Sequence, residues 1–163
     1  MSDFPEQEDL TMSVTQLCYR SRIHWPALRY GLDEEVERSL TRIRRINSMA
    51  GVTGALILTD NHVFQLLEGP WPSVKRTFEC VLEDKRHSDL TVLSNEEQDF
   101  RLFHNSWMHF CDLREDADRA HPGFLGNLLA HPDRTCGEEV MELLLLLSMN
   151  MSENQLTNRL ALM

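Results

Sequence analysis

Apolar positions recur along the first two-thirds of the chain with two different periods. Short apolar runs that end at turn residues predict strands, whereas apolar residues spaced three and four apart predict helices. The stretch 22–32 contains Pro26 and Gly31 and is predicted to be a loop. In chain order the other predicted elements are strand 14–19, helix 34–50, strands 55–59 and 63–67, helix 72–83, and strands 90–93 and 101–110.

Single residues predict where several of these elements begin and end. Asp33 is predicted as the N-cap of helix 34–50, and Gly51 as the residue that ends it. Pro72 suits the first turn of the second helix. The dipeptide Asp60-Asn61 is typical of a tight turn, so the two strands around it are predicted to form a hairpin.

This order of elements predicts an α+β fold, a ferredoxin-like sandwich with a mixed five-stranded sheet and two helices on one face. The other face needs a cover, and helices predicted at 122–130 and 137–149 are expected to supply it. The run Leu143 to Leu147 is apolar all round, as expected for a helix packed on two sides. The expected domains are a disordered acidic leader at 1–12, a folded domain at 13–112 and a C-terminal helical extension at 113–163.

Composition narrows the possible functions. The 163 residues are 42% hydrophobic and 26% charged, which excludes a collagen-like chain and a wholly disordered one. The net charge of −10 makes direct binding to nucleic acid an unlikely function. Four widely spaced cysteines lack metal-ligand spacing and suit a reducing compartment, so we expect a cytoplasmic protein without bound metal. No apolar run is long enough for a membrane span, so no membrane partner is expected.

Polar residues on an apolar face are informative, and helix 34–50 carries one. Its core face runs through Val36, Leu40 and Ile43, and then reaches Asn47. A buried amide without partners costs about 1–3 kcal/mol, so Asn47 needs a partner there. That partner is either a ligand or the backbone near the end of the helix, and the pattern leaves both interpretations open.

The strands carry two more such residues. Gln65 shares a strand face with Val63 and Leu67, and this face is either the core or the solvated side of an edge strand. Tyr19 ends the first strand and, taken alone, is an ordinary residue of an amphipathic strand. Together with Asn47, these groups donate and accept hydrogen bonds but are neutral at pH 7. The set therefore favours binding of a planar polar ligand over hydrolysis.

A charged cluster, Asp84 to His87, follows the second predicted helix. Cations at the C-terminus of a helix are favourable in themselves, so the cluster has a structural interpretation as a cap. Its functional interpretation is a phosphate-binding site. Four further cations on the predicted helices extend the cluster, namely Arg44, Arg45, Lys75 and Arg76.

Five segments, taken in order, resemble the motifs of the BLUF family, the blue-light sensors that use FAD. They cover about residues 14–112 and are Leu17-Cys-Tyr-Arg-Ser21, Asn47-Ser-Met-Ala-Gly-Val-Thr-Gly-Ala-Leu56, Val63-Phe-Gln-Leu-Leu-Glu-Gly69, Asp84-Lys-Arg-His87 and Arg101-Leu-Phe-His-Asn-Ser-Trp-Met108. Each motif alone is weak, but five in the same order are specific.

The resemblance implies FAD bound between the two helices, with Asn47 at the polar edge of the flavin and Gln65 between that edge and Tyr19. It also implies that Asp84, Arg86 and His87 contact the flavin and its phosphates, and that Met108 lies beside Gln65 on the last strand. After absorption of blue light, Tyr19 would transfer an electron and a proton toward the flavin, and Gln65 would change tautomer or orientation. The rearranged hydrogen bonds would shift the absorption to the red, and the last strand would pass the change to the C-terminal helices.

The chain departs from the family pattern near Met108. The family usually has Phe-x-x-Trp-x-Met there, whereas this chain has Ser106 at the Trp position and Trp107 next to it. Because side chains alternate along a strand, Trp107 is expected to face away from Met108. Two smaller departures are Ile46, at a position that is often polar, and a slightly longer loop after Tyr19.

The sequence thus predicts a blue-light photoreceptor rather than an enzyme. Its output would go through a partner protein or through self-association as a homodimer or higher oligomer. The apolar helix around Leu143 is the candidate surface, unless it simply packs under the sheet. Two alternatives remain: a flavin-binding redox protein, for which His104 and His109 are the nearest acid–base candidates, and a BLUF-like interaction module that has lost flavin.

Overall fold

The computed structural model describes residues 13–114, 131–146 and 148–149. The chain divides into two compact units, Met1–Asp118 and Arg119–Met163. The predicted leader at 1–12 and the predicted helix at 122–130 lie outside the described residues.

The described part of the first unit is a five-stranded sheet with two α-helices. The strand order is β4-β1-β3-β2-β5, in which β2 and β5 are parallel and the other neighbours are antiparallel. The predicted α+β, ferredoxin-like architecture with a mixed sheet is therefore confirmed. The elements are β1 (Val14–Ile23), α1 (Leu32–Ala50), β2 (Thr53–Leu58), β3 (His62–Gly69), α2 (Trp71–Glu83), β4 (His87–Gln98) and β5 (His109–Asp112).

Both helices pack on one face of the sheet. Val36 and Ile43 of α1 and Phe78 and Val81 of α2 lie against a single buried cluster. Burial of each large apolar side chain contributes about 1.5–3 kcal/mol, so this cluster holds the helices in place. The buried members of the cluster are Leu17, Tyr19, Leu40, Val52, Leu67, Val74 and Met108.

The opposite face of the sheet is apolar and buried as well. Alternation along the strands places Cys18, Ala55, Ile57, Phe64 and Leu66 on that side, and none of them is exposed to solvent. The expectation that this face needs a cover is thus supported. That the C-terminal helices supply the cover stays a prediction.

Two of the predicted boundaries are wrong in ways that have a physical reason. Helix α1 begins at Leu32 after Gly31, so Asp33 is not the N-cap but lies in the first turn. The reason is that the carboxylate of Glu35 reaches back to accept hydrogen bonds from the backbone N–H groups of Arg29 and Tyr30, which orders the chain before the helix. The predicted loop is shorter than expected, since β1 continues to Ile23 and a single 3₁₀ turn follows at Trp25–Ala27.

The last strand also differs from its predicted range. Strand β5 is His109–Asp112, whereas residues 101–108 form turns and not the strand predicted at 101–110. The N–H groups of Leu102 and Phe103 bond the carboxylate of Glu68 and are therefore not available to a strand ladder. Met108 consequently precedes the last strand instead of lying within it.

In the second unit, residues 137–146 and 148–149 are helical. Val140, Leu143 and Leu144 are buried, but Leu145 and Leu146 are exposed by 46% and 39%. The prediction of a helix packed on two sides is therefore wrong, because this helix is amphipathic. Nowhere in the described ranges does a helix combine the length and the apolar character that crossing a membrane requires.

Two glycines let α1 and β2 follow each other closely. Gly51 adopts a left-handed backbone with φ of 72°, a conformation that side chains disfavour, and it ends α1 as predicted. Gly54 lies in β2 directly against β3, and a Cβ there would come within 1.9 Å of the carbonyl oxygen of Leu66. These glycines set the distance between the end of α1 and β3.

We expect the substitution Gly54→Ala to destabilise the fold. The added methyl group must push β2 away from β3, and such overpacking costs about 1–3 kcal/mol or more. The matched control is Gly31→Ala, because a Cβ at Gly31 meets no atom within 4 Å. Urea unfolding measures both, and a Gly54→Ala variant as stable as the control would contradict the close approach of β2 and β3.

Candidate functional site

A cleft lies between α1, the inner face of the sheet and the residues that follow α2. Its empty volume is about 720 Å³, a figure that includes the space open to solvent. Most of its lining is aliphatic, and the polar groups are few. The polar lining residues are Tyr19, Ser21, Glu35, Ser39, Gln65, Asp84, Arg86 and His87.

Tyr19 and Gln65 meet directly at the inner end of the cleft. They are opposite each other in the pairing of β1 with β3, so both side chains project from the same face of the sheet. The hydroxyl of Tyr19 donates a hydrogen bond to Oε1 of Gln65, and both residues are buried. Of the two interpretations left open for this strand face, the structure therefore supports the core.

The surroundings of Tyr19 keep its hydroxyl protonated. Burial, and then the negative charge of Asp84, raise the pKa of Tyr19 above its ordinary value. The ring lies 5.8 Å from the ring of Phe78 and 6.4 Å from that of His87. Tyr19 is therefore held as a hydrogen-bond donor at any physiological pH.

The other end of the Gln65 amide has a much weaker partner. Its Nε2 lies 3.7 Å from Sδ of Met108, which is fully buried. A thioether sulfur is a weak acceptor, so this contact contributes little. The predicted neighbourhood of Met108 and Gln65 is present, although Met108 does not belong to the last strand.

Asn47 is buried on the core face of α1, one turn after Ile43, which lines the cleft. Its Nδ2 donates a 2.7 Å hydrogen bond to the carbonyl oxygen of Trp107. Its Oδ1 is buried and has no hydrogen-bond partner within the described parts of the chain. An unpaired buried acceptor is costly, so Oδ1 is suited to accept a bond from a ligand donor.

Arg86 lies at the outer end of the cleft, where its guanidinium bonds two carboxylates. It contacts Asp84 at 2.6 Å and Glu35 at 3.2 Å, and it donates to Oγ of Ser39 at 2.7 Å. Burial acts to raise the pKa of Asp84, but the hydrogen bonds and charge of Arg86 outweigh it and hold the pKa below its usual value. The positive charge expected for a phosphate-binding site is thus already balanced by acidic neighbours.

His87 and Asp84 also have structural partners. A ring nitrogen of His87 lies 2.7 Å from the carbonyl oxygen of Val81, and Asp84 is the residue that ends α2. Arg44, which was grouped with this cluster in the sequence, instead donates to the carbonyl oxygen of Met108 at 3.0 Å. The capping interpretation of the cluster therefore gains support, while Asp84, Arg86 and His87 still line the cleft.

Several polar residues of the cleft were missed in the sequence. Ser21 is two residues after Tyr19, and its buried Oγ has no partner within the described ranges. The period of two along β1 would have indicated that Ser21 shares the face of Tyr19. Glu35 also lines the cleft, and no local signal in the sequence indicates its contact with Arg86 across the fold.

Trp107 does not enter the cleft. Its side chain is 45% exposed, whereas that of the next residue, Met108, is not exposed at all. The expectation that the two side chains face opposite ways is confirmed. Within the described structure, Met108 and not Trp107 is the residue that contacts Gln65.

The residues of the cleft fit a flavin. One edge of the flavin ring carries a ring N–H between two carbonyl groups, and the unpaired Oδ1 of Asn47 is an acceptor for such an N–H. Gln65 and Ser21 offer further polar groups, and the aliphatic lining suits the rest of a planar ring. Candidate holding groups are therefore Asn47, Gln65 and Ser21, with Asp84 and Arg86 farther out.

The chain is similar to known proteins in sequence and in structure. The chain is 33% identical over 105 residues to the blue light- and temperature-regulated antirepressor BluF of Escherichia coli (strain K12), a match that covers 62% of this chain and 24% of that protein. This chain thus spans about a quarter of that relative's length. The dark state structure of BlrB, a BLUF protein, matches with a TM-score of 0.68 at 26% identity, covering 86% of this chain and 98% of that one.

The ground state of BlsA matches similarly, with a TM-score of 0.69 at 25% identity and coverage of 80% of this chain and 85% of that one. Residues 14–109 match the family model described as BLUF, sensors of blue-light using FAD, which is more than half of the chain. The chain therefore belongs to the BLUF family and is a blue-light photoreceptor that uses FAD.

Proposed function

We propose that this photoreceptor responds to light by rearranging the hydrogen bonds that Gln65 makes with Tyr19 and with the flavin. The observation that carries the proposal is the hydrogen bond from the Tyr19 hydroxyl to Oε1 of Gln65 in a buried, polar-poor cleft. A bound flavin supplies absorption of blue light and an acceptor for an electron. Tyr19, the buried phenol next to Gln65, would supply the electron and the proton, and it would regain both when the charges recombine and the rearranged hydrogen bonds form.

The amide of Gln65 supports two arrangements. Its oxygen accepts from Tyr19, and its Nε2 has only the weak contact with Met108 at 3.7 Å. Rotation or tautomerisation of the amide exchanges the donor and acceptor that it presents, and no strong bond of Nε2 opposes the change. A hydrogen-bond network with two arrangements is a switch that light can bias.

Binding of the flavin would use groups on both sides of the cleft. Asn47 accepts from the ring N–H through Oδ1, and its Nδ2 stays bonded to Trp107. Asp84, Arg86 and His87 orient the flavin from the outer end, where Arg86 is already tied to Asp84 and Glu35. Since the two carboxylates balance Arg86, we infer that this end contributes orientation more than electrostatic attraction for phosphate.

We propose that the output is a changed interaction with a partner protein or with a second copy of the chain, not a catalysed reaction. The carboxylates that line the cleft, Glu35 and Asp84, are both paired with Arg86, so neither is poised as a general base. The E. coli relative is named an antirepressor, which is a protein-binding role. The segment near Met108 is the route by which the site would reach such a surface.

The absorption spectrum of the purified protein, in darkness and under blue light, tests the proposal. We expect flavin bands that shift to the red and relax back in darkness. Bands that bleach without a shift would instead indicate a redox flavoprotein. A colourless protein that does not take up added FAD would indicate an interaction module without flavin.

Tyr19→Phe should keep flavin binding and abolish the red-shifted state. The substitution removes only the hydroxyl that donates to Gln65, so the packing against Phe78 is preserved. Tyr30→Phe is the matched control, because Tyr30 is 40% exposed and packs under Arg38 outside the cleft. A normal photocycle in Tyr19→Phe, measured by flash absorption, would refute the role of Tyr19.

Asn47→Ala should weaken flavin binding by about tenfold to a hundredfold, the range that corresponds to loss of one or two buried hydrogen bonds. The substitution removes the acceptor Oδ1 and also frees the carbonyl of Trp107. Asn95→Ala, at an exposed position of β4, is the control. Titration of the flavin-free protein measures the affinity, and unchanged affinity with an unchanged dark spectrum would mean that Asn47 is only structural.

A further inference from the structure

A buried carboxylate lies on the face of the sheet opposite the cleft. Glu68 is in β3, three residues after Gln65, and none of its surface is exposed. Alternation along β3 places its side chain on the far side from Gln65. Nothing in the flavin chemistry requires an acid at this position, so its role lies elsewhere.

All the acceptor capacity of Glu68 is in use. Oε2 accepts from Nε2 of Gln16 at 2.8 Å and from the backbone N–H of Leu102 at 2.6 Å. Oε1 accepts from the N–H of Phe103 at 2.9 Å and from the hydroxyl of Thr53 at 3.2 Å. A carboxylate offers about four acceptor sites, and four donors are present.

Two of these four donors belong to residues 101–108, which we call the connecting segment because they join β4 to β5. The side chain of Phe103 is buried and stacks on the ring of His109, with the ring centroids 5.8 Å apart. Arg101 adds a 2.9 Å hydrogen bond to the carbonyl oxygen of Gly51, the residue that ends α1. The start of the connecting segment is thus tied to β3 and to the end of α1.

The end of the connecting segment is held by groups of the cleft side. Asn47 bonds the carbonyl of Trp107, and Arg44 bonds that of Met108. The sulfur of Met108, at the end of the same segment, contacts Gln65. The same strand therefore carries Gln65, which Met108 touches, and Glu68, which anchors the segment that presents Met108.

We propose that Glu68 is a positioning residue of the light response: its carboxylate anchors the connecting segment at Leu102 and Phe103 and so keeps Met108 against Gln65. This inference rests on the proposed function. The anchor stabilises the arrangement in which Met108 contacts the amide, and a weaker anchor stabilises it less. With a weaker anchor, the return to that arrangement in darkness releases less free energy, and we expect the dark recovery to be slower than in the wild type.

Glu68→Gln tests the anchor, because the amide keeps the shape but has one acceptor oxygen for two backbone N–H groups. We expect this variant to bind flavin and to form the red-shifted state, and to recover in darkness about tenfold more slowly, as for loss of a hydrogen bond to a charged group. Gln16→Met is the matched control. It removes a donor to the same carboxylate, together with a long 3.4 Å bond to the carbonyl oxygen of Phe100, but leaves the bonds of Glu68 to the N–H groups of Leu102 and Phe103. Its recovery rate should therefore stay within about twofold of wild type.

The inference would be overturned if Glu68→Gln recovered at the wild-type rate or faster, or if Gln16→Met were slowed equally. A red shift in the wild-type protein would still support the proposed function in either case. Absence of a red shift in the wild type would overturn both. If Glu68→Gln fails to fold, amide hydrogen exchange of the wild-type protein tests the anchor instead. The N–H groups of Leu102 and Phe103 should exchange about a hundredfold more slowly than that of exposed His104, and equal rates would refute the anchor.

Discussion

The antiparallel register between β1 and β3 is the constraint on which the site depends. It places Tyr19 opposite Gln65, so that a phenol and an amide meet on the inner face of the sheet. A slip of β3 by one residue would turn Gln65 to the other face, where Cys18 packs, and would separate it from Tyr19. The register is itself fixed by apolar residues on both faces of the two strands, since every residue of β3 except Val63 is buried.

The second requirement is a close approach of α1 to this pair of strands. The left-handed Gly51 ends α1 only four residues after Asn47, and β2 starts at Thr53, so Asn47 lies in the last turn of α1 and is buried there, one turn after Ile43 of the cleft lining. Asn47 also bonds the carbonyl of Trp107. If Asn47 binds the flavin as proposed, it couples the flavin to the connecting segment directly.

The local pattern of apolar and polar positions was sufficient to single out functional candidates whose neighbours are close in the sequence. Asn47 and Gln65 interrupt apolar faces with helical and strand periods, and both are buried as those periods imply. The order of motifs then identified the family. The pattern failed where a residue far along the chain determines the backbone conformation. The carboxylate of Glu68 accepts hydrogen bonds from the N–H groups of Leu102 and Phe103, which are 34 and 35 residues away. The segment predicted as a strand therefore forms turns. Glu35 similarly meets Arg86 across 51 residues, a contact that periodicity does not reveal.

The distribution of charge over the cleft explains why a switch fits this fold better than a catalyst. Charged groups stay at the outer end, where Arg86 balances two carboxylates. The inner end contains the phenol of Tyr19 and the amide of Gln65, which the thioether of Met108 contacts, and these groups are neutral. Neutral groups of this kind exchange hydrogen-bond partners without moving charge through a region of low dielectric, which would be costly. In the proposed mechanism, Gln65 then has two accessible arrangements, and the connecting segment, tied to both faces of β3, would differ between them in what it presents to a partner.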